Sequence, residues 1–167
     1  KVNQHRFYEI KELADRLGVQ FTCAVVHNSE TTFGNHAEIE AEVPVIKPQL
    51  EKIKDSFLDS AKPKDWARGY FVDTLIDYLD RKPRPLPCTA ADNFFFLQSN
   101  GDVYPCNILN IKMGNIRQER VEGIFARHQK TKEACSKCNQ CWMICTVVPI
   151  LRKNPAARCI YLSSIHM

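Results

Sequence analysis

The chain lacks any apolar run long enough to cross a bilayer. Its longest stretches, FTCAVV and WMICTVVPIL, fall well short of the roughly 20 residues a spanning helix needs. It also lacks a dense Lys/Arg block. The net charge of +4 is spread along 167 residues, which argues against the concentrated basic footprint of a nucleic-acid surface. No basic-then-apolar leader opens the chain, so no signal peptide is read and a reducing cytoplasm is the expected compartment. Neither an internal repeat nor a low-complexity segment is present. Membrane and nucleic acid are therefore not expected partners. What remains is an ordinary globular composition, 44% hydrophobic and 25% charged, at a length suited to one domain or two small ones. The first residue is Lys1 rather than Met and it leads straight into a helical pattern, which reads as a fragment or a cut N-terminus.

Residues 5–17 place Phe7, Ile10, Leu13, Ala14 and Leu17 on one helical stripe. Gly18 suits the left-handed residue that ends a helix. The run 19–26, VQFTCAVV, is continuously apolar and β-prone, as in a strand buried on both faces. Helix, Gly and buried strand together form the rhythm of a parallel αβ unit. Cys23 sits in this strand and is most simply a small core residue. His27, Asn28 and Glu30 follow it. Strand ends on one face of a barrel carry active-site groups, so these three are candidate contacts to substrate or cofactor; a solvated loop is the alternative. Residues 39–46 read as a short extended piece interrupted by Pro44. Helices are expected from Pro48 to residue 60 and over 63–81, the second with Trp66, Phe71, Leu75, Tyr78 and Leu79 on its apolar side.

KPRPLPC, residues 82–88, cannot continue a helix and divides the chain into parts 1–82 and 83–167. In the second part, NFFFLQSNGDVYPC reads as a hairpin with a tight turn at Asn100–Gly101. KMGNI reads as another turn and RVEGIFARHQK as one short helix. Further helices are expected over about 141–153 and from Pro155.

Eight cysteines are the informative feature: Cys23, Cys88, Cys106, Cys135, Cys138, Cys141, Cys145 and Cys159. Clustered thiols in a reducing compartment read as metal ligands rather than disulfides. CSKCNQCWMIC, residues 135–145, has the C-x2-C-x2-C-x3-C spacing in which three cysteines grip one iron–sulfur cluster and the fourth reaches another. The Pro that usually ends that run is replaced by Thr146. If the crossing holds, Cys135, Cys138 and Cys141 take Cys159 as a remote fourth ligand. Cys145 then joins Cys88 and Cys106, which flank the hairpin, in a set one ligand short. The competing reading is a structural zinc site on Cys135, Cys138, Cys141 and Cys145. Trp142 and Met143 could shield a cluster, and packing accounts for them equally well.

Cys88-x12-Gly101-x4-Cys106, then the four-cysteine run, then Cys159 resembles the SPASM domain of radical SAM enzymes, whose pattern is seven cysteines in this order. The resemblance covers residues 83–167. One departure is the two-residue spacer between Cys138 and Cys141, which is longer in the family. The resemblance implies an α+β chain: a helix–strand remnant of a partial TIM barrel, then a small cysteine-rich domain holding two auxiliary 4Fe–4S clusters. Cys88, Cys106 and Cys145 would serve one cluster, and Cys135, Cys138, Cys141 and Cys159 the other. It further implies electron transfer or substrate binding, a peptide or protein substrate with small molecules as the alternative, and a reductase or flavodoxin-type electron donor. The C-x3-C-x2-C motif that holds the S-adenosylmethionine cluster is absent from this sequence, so that cofactor belongs only to a full-length enzyme. Two other function classes stand beside this one: a zinc-stabilised non-catalytic binding module, and a ferredoxin-like electron carrier.

Overall fold

A computed structural model describes residues 1–29, 32, 34, 35 and 39–153. The chain is mixed α and β and forms two compact units. One contains residues 1–25, 38–85 and the stretch from Trp142; the other contains residues 26–37 and 86–141. The polypeptide thus leaves the first unit after Pro85, within the proline-rich segment, and returns to it at Trp142.

The first unit is helical. A single 3-10 turn, Gln4–Arg6, leads into α1, Phe7–Arg16. Gly18 has φ +67. The amide of Val19 donates to Ala14 O and that of Gly18 to Asp15 O, so the helix closes on a Schellman motif, as the glycine led one to expect. The buried side of α1 is not the expected one, however. Lys11 and Ala14 face inward while Ile10, Leu13 and Leu17 are exposed. Lys11 lies 4.9 Å over the ring of Phe57 and pairs with Asp15 at 2.5 Å; its aliphatic stem covers apolar surface while its charge keeps a partner.

No strand forms over 19–26, contrary to expectation. A β-strand needs a neighbour for its amides and carbonyls, and the described residues of this unit provide none. Phe21 is buried and meets Phe7 edge-on at 5.6 Å.

Helix α2, Val43–Leu58, begins five residues before the expected Pro48 and absorbs half of the expected extended piece. Pro44 falls in its first turn, where a missing N–H is harmless; Pro48 lies inside the helix. Gln49 ties this helix to the N-terminus. Its Nε2 donates to Gln4 O at 2.6 Å, and its Oε1 accepts the Tyr8 amide at 3.0 Å. Helix α3, Pro63–Leu79, packs along α2 through Leu50, Ile53 and Phe57 on one side and Phe71, Val72, Leu75 and Ile76 on the other. It ends with Arg81 at φ +63, the amide of Lys82 reaching back to Asp77 O.

The second unit holds a three-stranded antiparallel sheet ordered β1-β2-β3: Phe96–Leu97, Asp102–Tyr104 and Gly114–Asn115. KMGNI therefore supplies the third strand rather than only a turn. Phe96 pairs with Tyr104 and Leu97 with Val103, which leaves three residues, Ser99 to Gly101, in the hairpin loop. Gly101, at φ +91, occupies the left-handed bulge position. Val103, Met113, Ile124 and Ala91 form the core beneath. The expected helix over 120–130 is two helices, α4 at Val121–Ala126 and α5 at Gln129–Ser136, separated at Arg127–His128. Helix α6, Ile144–Lys153, belongs to the first unit and starts three residues after Cys141. The helix expected from Pro155 lies outside the described residues.

Candidate metal centre

Cys88, Cys106, Cys135, Cys138 and Cys141 all fall in the second unit and none is in a disulfide. Cys88 leads into the short bridge between Ala90 and Phe94 that precedes β1. Cys106 follows β2 by one residue, Pro105. Both thiols are buried. Helix α5 delivers Cys135 in its last turn, fully buried, and the Cys138 amide turns back onto Cys135 O at 3.0 Å.

Two of these thiols, Cys106 and Cys135, are raised by their surroundings. Burial pushes the Cys135 thiol up to about 12, and charge on Cys88, Cys106 or Cys138 pushes it the same way. Burial also raises Cys106. The amides of Leu109 and Ile108, donating to its Sγ at 3.3 and 3.4 Å, oppose the rise, while Cys88 and Cys138 add to it. Gathering several thiolates in a buried place is unfavourable without a cation among them. Amides aimed at a cysteine sulfur are what a ligated thiolate accepts. The donor set is soft and all-sulfur, which suits thiolate-bound iron–sulfur clusters or zinc. Among the described residues, no three His, Cys, Asp or Glu side chains are gathered around a single metal-ion position.

Residues 88–142 match the SPASM domain, an iron-sulfur cluster-binding domain.

The match covers less than half of the chain. No curated protein and no solved structure matches it. The SPASM segment takes in the whole hairpin, both short helices and the first three cysteines of the run. Its end at Trp142 coincides with the return of the chain to the helical unit.

The other expected site residues distribute as follows. Cys145 lies on α6 in the helical unit. Cys159 and Glu30 lie outside the described residues. His27 is half-buried, and neither ring nitrogen has a hydrogen-bond partner among the described residues. Its burial lowers its affinity for a proton, against a smaller opposite pull from the Val26 carbonyl. Asn28 is exposed. Cys23 stands in the helical unit with its thiol pushed up to about 12 by burial. Trp142 is fully buried among helices: it stacks on Phe71 at 6.4 Å, donates to Phe71 O at 3.2 Å and lies under the Arg84 guanidinium at 4.9 Å.

Two positioning residues escaped the sequence reading. His128 joins Met113 O to Nε2 at 2.6 Å and Thr131 Oγ1 to Nδ1 at 3.1 Å. A carbonyl only accepts, so Nε2 carries the hydrogen and Nδ1 takes the Thr131 hydroxyl proton. The ring thereby pegs the start of α5 to β3's approach. Asn115 is the second. Its Nδ2 donates to Asp102 Oδ1 at 2.8 Å and Asn100 O at 3.2 Å, and its Oδ1 accepts the Arg117 amide at 2.8 Å. The only sequence signal for either was polarity inside an otherwise apolar pattern.

Proposed function

We propose that this chain is the C-terminal part of a radical SAM enzyme and that its SPASM segment carries auxiliary 4Fe–4S clusters on its cysteines. The observation that carries this reading is the SPASM match over residues 88–142, in which Cys88, Cys106, Cys135, Cys138 and Cys141 fall in one compact unit with no disulfide among them. When bound, such a cluster accepts and passes single electrons at a potential set by its sulfur hydrogen bonds and its exposure. The residues of this chain would do the rest. The thiols hold the cluster, the amides of Ile108 and Leu109 stabilise charge on Cys106 Sγ, and burial of Cys88, Cys106 and Cys135 keeps water from the sulfurs.

Under this reading the domain relays an electron from a substrate radical or anchors the substrate. A peptide or protein substrate and a reductase or flavodoxin-type donor are the partners the radical SAM resemblance suggests. The helical unit would then be the end of the partial barrel, its 19–26 segment pairing as a strand when a neighbouring strand is present. No helix among the described residues is long and apolar enough to cross a membrane.

Anaerobic purification with iron, zinc and acid-labile sulfide analysis tests the proposal. Iron and sulfide in equal amounts, about four of each per cubane, are expected. Stoichiometric zinc without sulfide overturns it in favour of a zinc-held binding module.

A further inference from the structure

We propose that the Thr89 hydroxyl donates a hydrogen bond to a sulfur of the iron–sulfur centre that Cys88 ligates, and thereby raises the reduction potential of that centre. This rests on the iron–sulfur reading above and deepens it: Thr89 tunes the centre without ligating it.

The hydroxyl is an orphan. Thr89 Oγ1 is shut off from solvent and has no hydrogen-bond partner among the described residues. A threonine that opens a turn ordinarily spends its side-chain oxygen on an amide a few residues further on. Here those amides are committed elsewhere. Asp92 and Asn93 both donate to Thr89 O, at 3.1 and 2.9 Å, and Ala91 donates to Phe94 O at 2.8 Å. The main chain is pinned as well. Ala90 bridges to Phe94, Ala90 and Ala91 are both buried, and Ala91 holds a left-handed φ of +64. A branched side chain on such a backbone has few rotamers, so the hydroxyl has little freedom to reach another part of the chain. A buried hydroxyl without its hydrogen bond is costly, and the acceptor it calls for lies outside the polypeptide.

Its place in the chain names that acceptor. Thr89 follows Cys88, whose thiol is buried and which opens the segment that matches the SPASM domain. The other hydroxyls in the same condition, on Thr32 and Ser56, adjoin no cysteine of that segment. A hydroxyl has one hydrogen to give, and the sulfurs of an iron–sulfur cluster accept. Cys106 Sγ has donors of its own in the amides of Ile108 and Leu109, at 3.4 and 3.3 Å. Thr89 supplies the same kind of contact on the Cys88 side. Reduction by one electron adds negative charge that the cluster sulfurs share. A donor aimed at them favours the reduced form, while the O–H bond itself stays intact.

The test uses the whole chain, prepared anaerobically, as wild type and as Thr89→Val, Thr89→Ser and Cys88→Ser. Valine keeps the shape of threonine without the hydroxyl; serine keeps the hydroxyl. Iron and acid-labile sulfide are measured, and electron paramagnetic resonance follows a reductive titration with dithionite. Cys88→Ser identifies the spectral component of the centre that Cys88 ligates. The proposal expects Thr89→Val to retain wild-type iron and sulfide and to move the midpoint of that component to a more negative potential. The expected size is about tenfold in the reduction equilibrium, about 59 mV for one electron. Thr89→Ser should stay at the wild-type midpoint. An unchanged midpoint in Thr89→Val overturns the proposal, as does a shift that Thr89→Ser shares or that every component shows alike. Wild-type protein without iron and sulfide would instead sink the underlying iron–sulfur reading.

A wild-type measurement covers variants that fail to hold the centre. An anaerobic crystal structure should place Thr89 Oγ1 within hydrogen-bonding distance of a cysteine or sulfide sulfur of the centre. Oγ1 bonded to water or main chain, with no sulfur in reach, contradicts the proposal.

Discussion

Gly101 shows why a single residue type is needed at one place. Its φ of +91 is open to glycine, and a Cβ there would stand 2.9 Å from Asn115 Oδ1 and 3.0 Å from Arg117 Cγ. Gly101→Ala should therefore lose roughly 1–3 kcal/mol of stability, read as a lower denaturant midpoint, and should loosen Cys106 at the end of the strand that follows. Arg81 presents the opposite case. It occupies a left-handed position with a side chain, φ +63, at the end of α3. Arg81→Gly should leave stability unchanged or raise it by up to about 1 kcal/mol, checked by the same unfolding measurement. Trp142 had two sequence readings, cluster shield or packing, and its stack on Phe71 with the Nε1–H satisfied accounts for it as packing. Cutting it to Ala should cost about 3–5 kcal/mol.

At the scale of elements, the hairpin is held by an ion pair whose pH dependence follows from its partners. Hydrogen bonds from Lys112, Asn115 and Asn100 hold the Asp102 carboxyl below the usual carboxylate range, and Asp102 raises Lys112 in return. The sign for Asp102 is that of a depressed acid. Its stabilisation is full above the ordinary carboxylate pKa near 4 and is lost as pH falls through the lower folded value. For Lys112 it is full below the ordinary value near 10.4 and is lost as pH rises through the raised one. Acid unfolding of Asp102→Asn should lack the part of the slope that wild type shows below pH about 4. The peg on α5 is a second handle: His128→Ala removes two hydrogen bonds and should lower iron retention on dilution while leaving α2 and α3 helical by circular dichroism.

These elements also mark what the sequence could reveal. The helix stop at Gly18, the span of α3 and the hairpin around Gly101 were legible because local backbone chemistry decides them. Continuous apolarity at 19–26 indicated burial and not pairing, since a strand exists only with its neighbour. The inward stripe of α1 was misjudged because burial goes to the face that meets α2, and Lys11 can lie along an apolar ring. The break between α4 and α5 depends on His128 reaching Met113, a contact fifteen residues away in sequence, to which a helical periodicity is blind. The spacing of the cysteines indicated iron–sulfur chemistry; which thiols are neighbours depends on tertiary placement, and spacing alone leaves that open.

At the scale of the molecule, the two units rest on different sources of stability. The helical unit buries a continuous face between α2 and α3, whereas the core cluster under the sheet is Ala91, Val103, Met113 and Ile124 with Phe125 beside it. Cys88, Cys106, Cys135 and Cys141 are buried in that unit as well, so its stability should depend on what those thiols hold. Chelation should therefore raise amide exchange across 86–141 and leave α2 and α3 protected. Ligation also needs thiolates, so the centre should be lost more readily as pH falls. The most direct measurement is the anomalous scattering of an anaerobic crystal at the iron edge. The account predicts iron bonded to cysteine sulfurs of the 88–142 segment; zinc in place of iron, or those sulfurs standing apart from any iron, would contradict it.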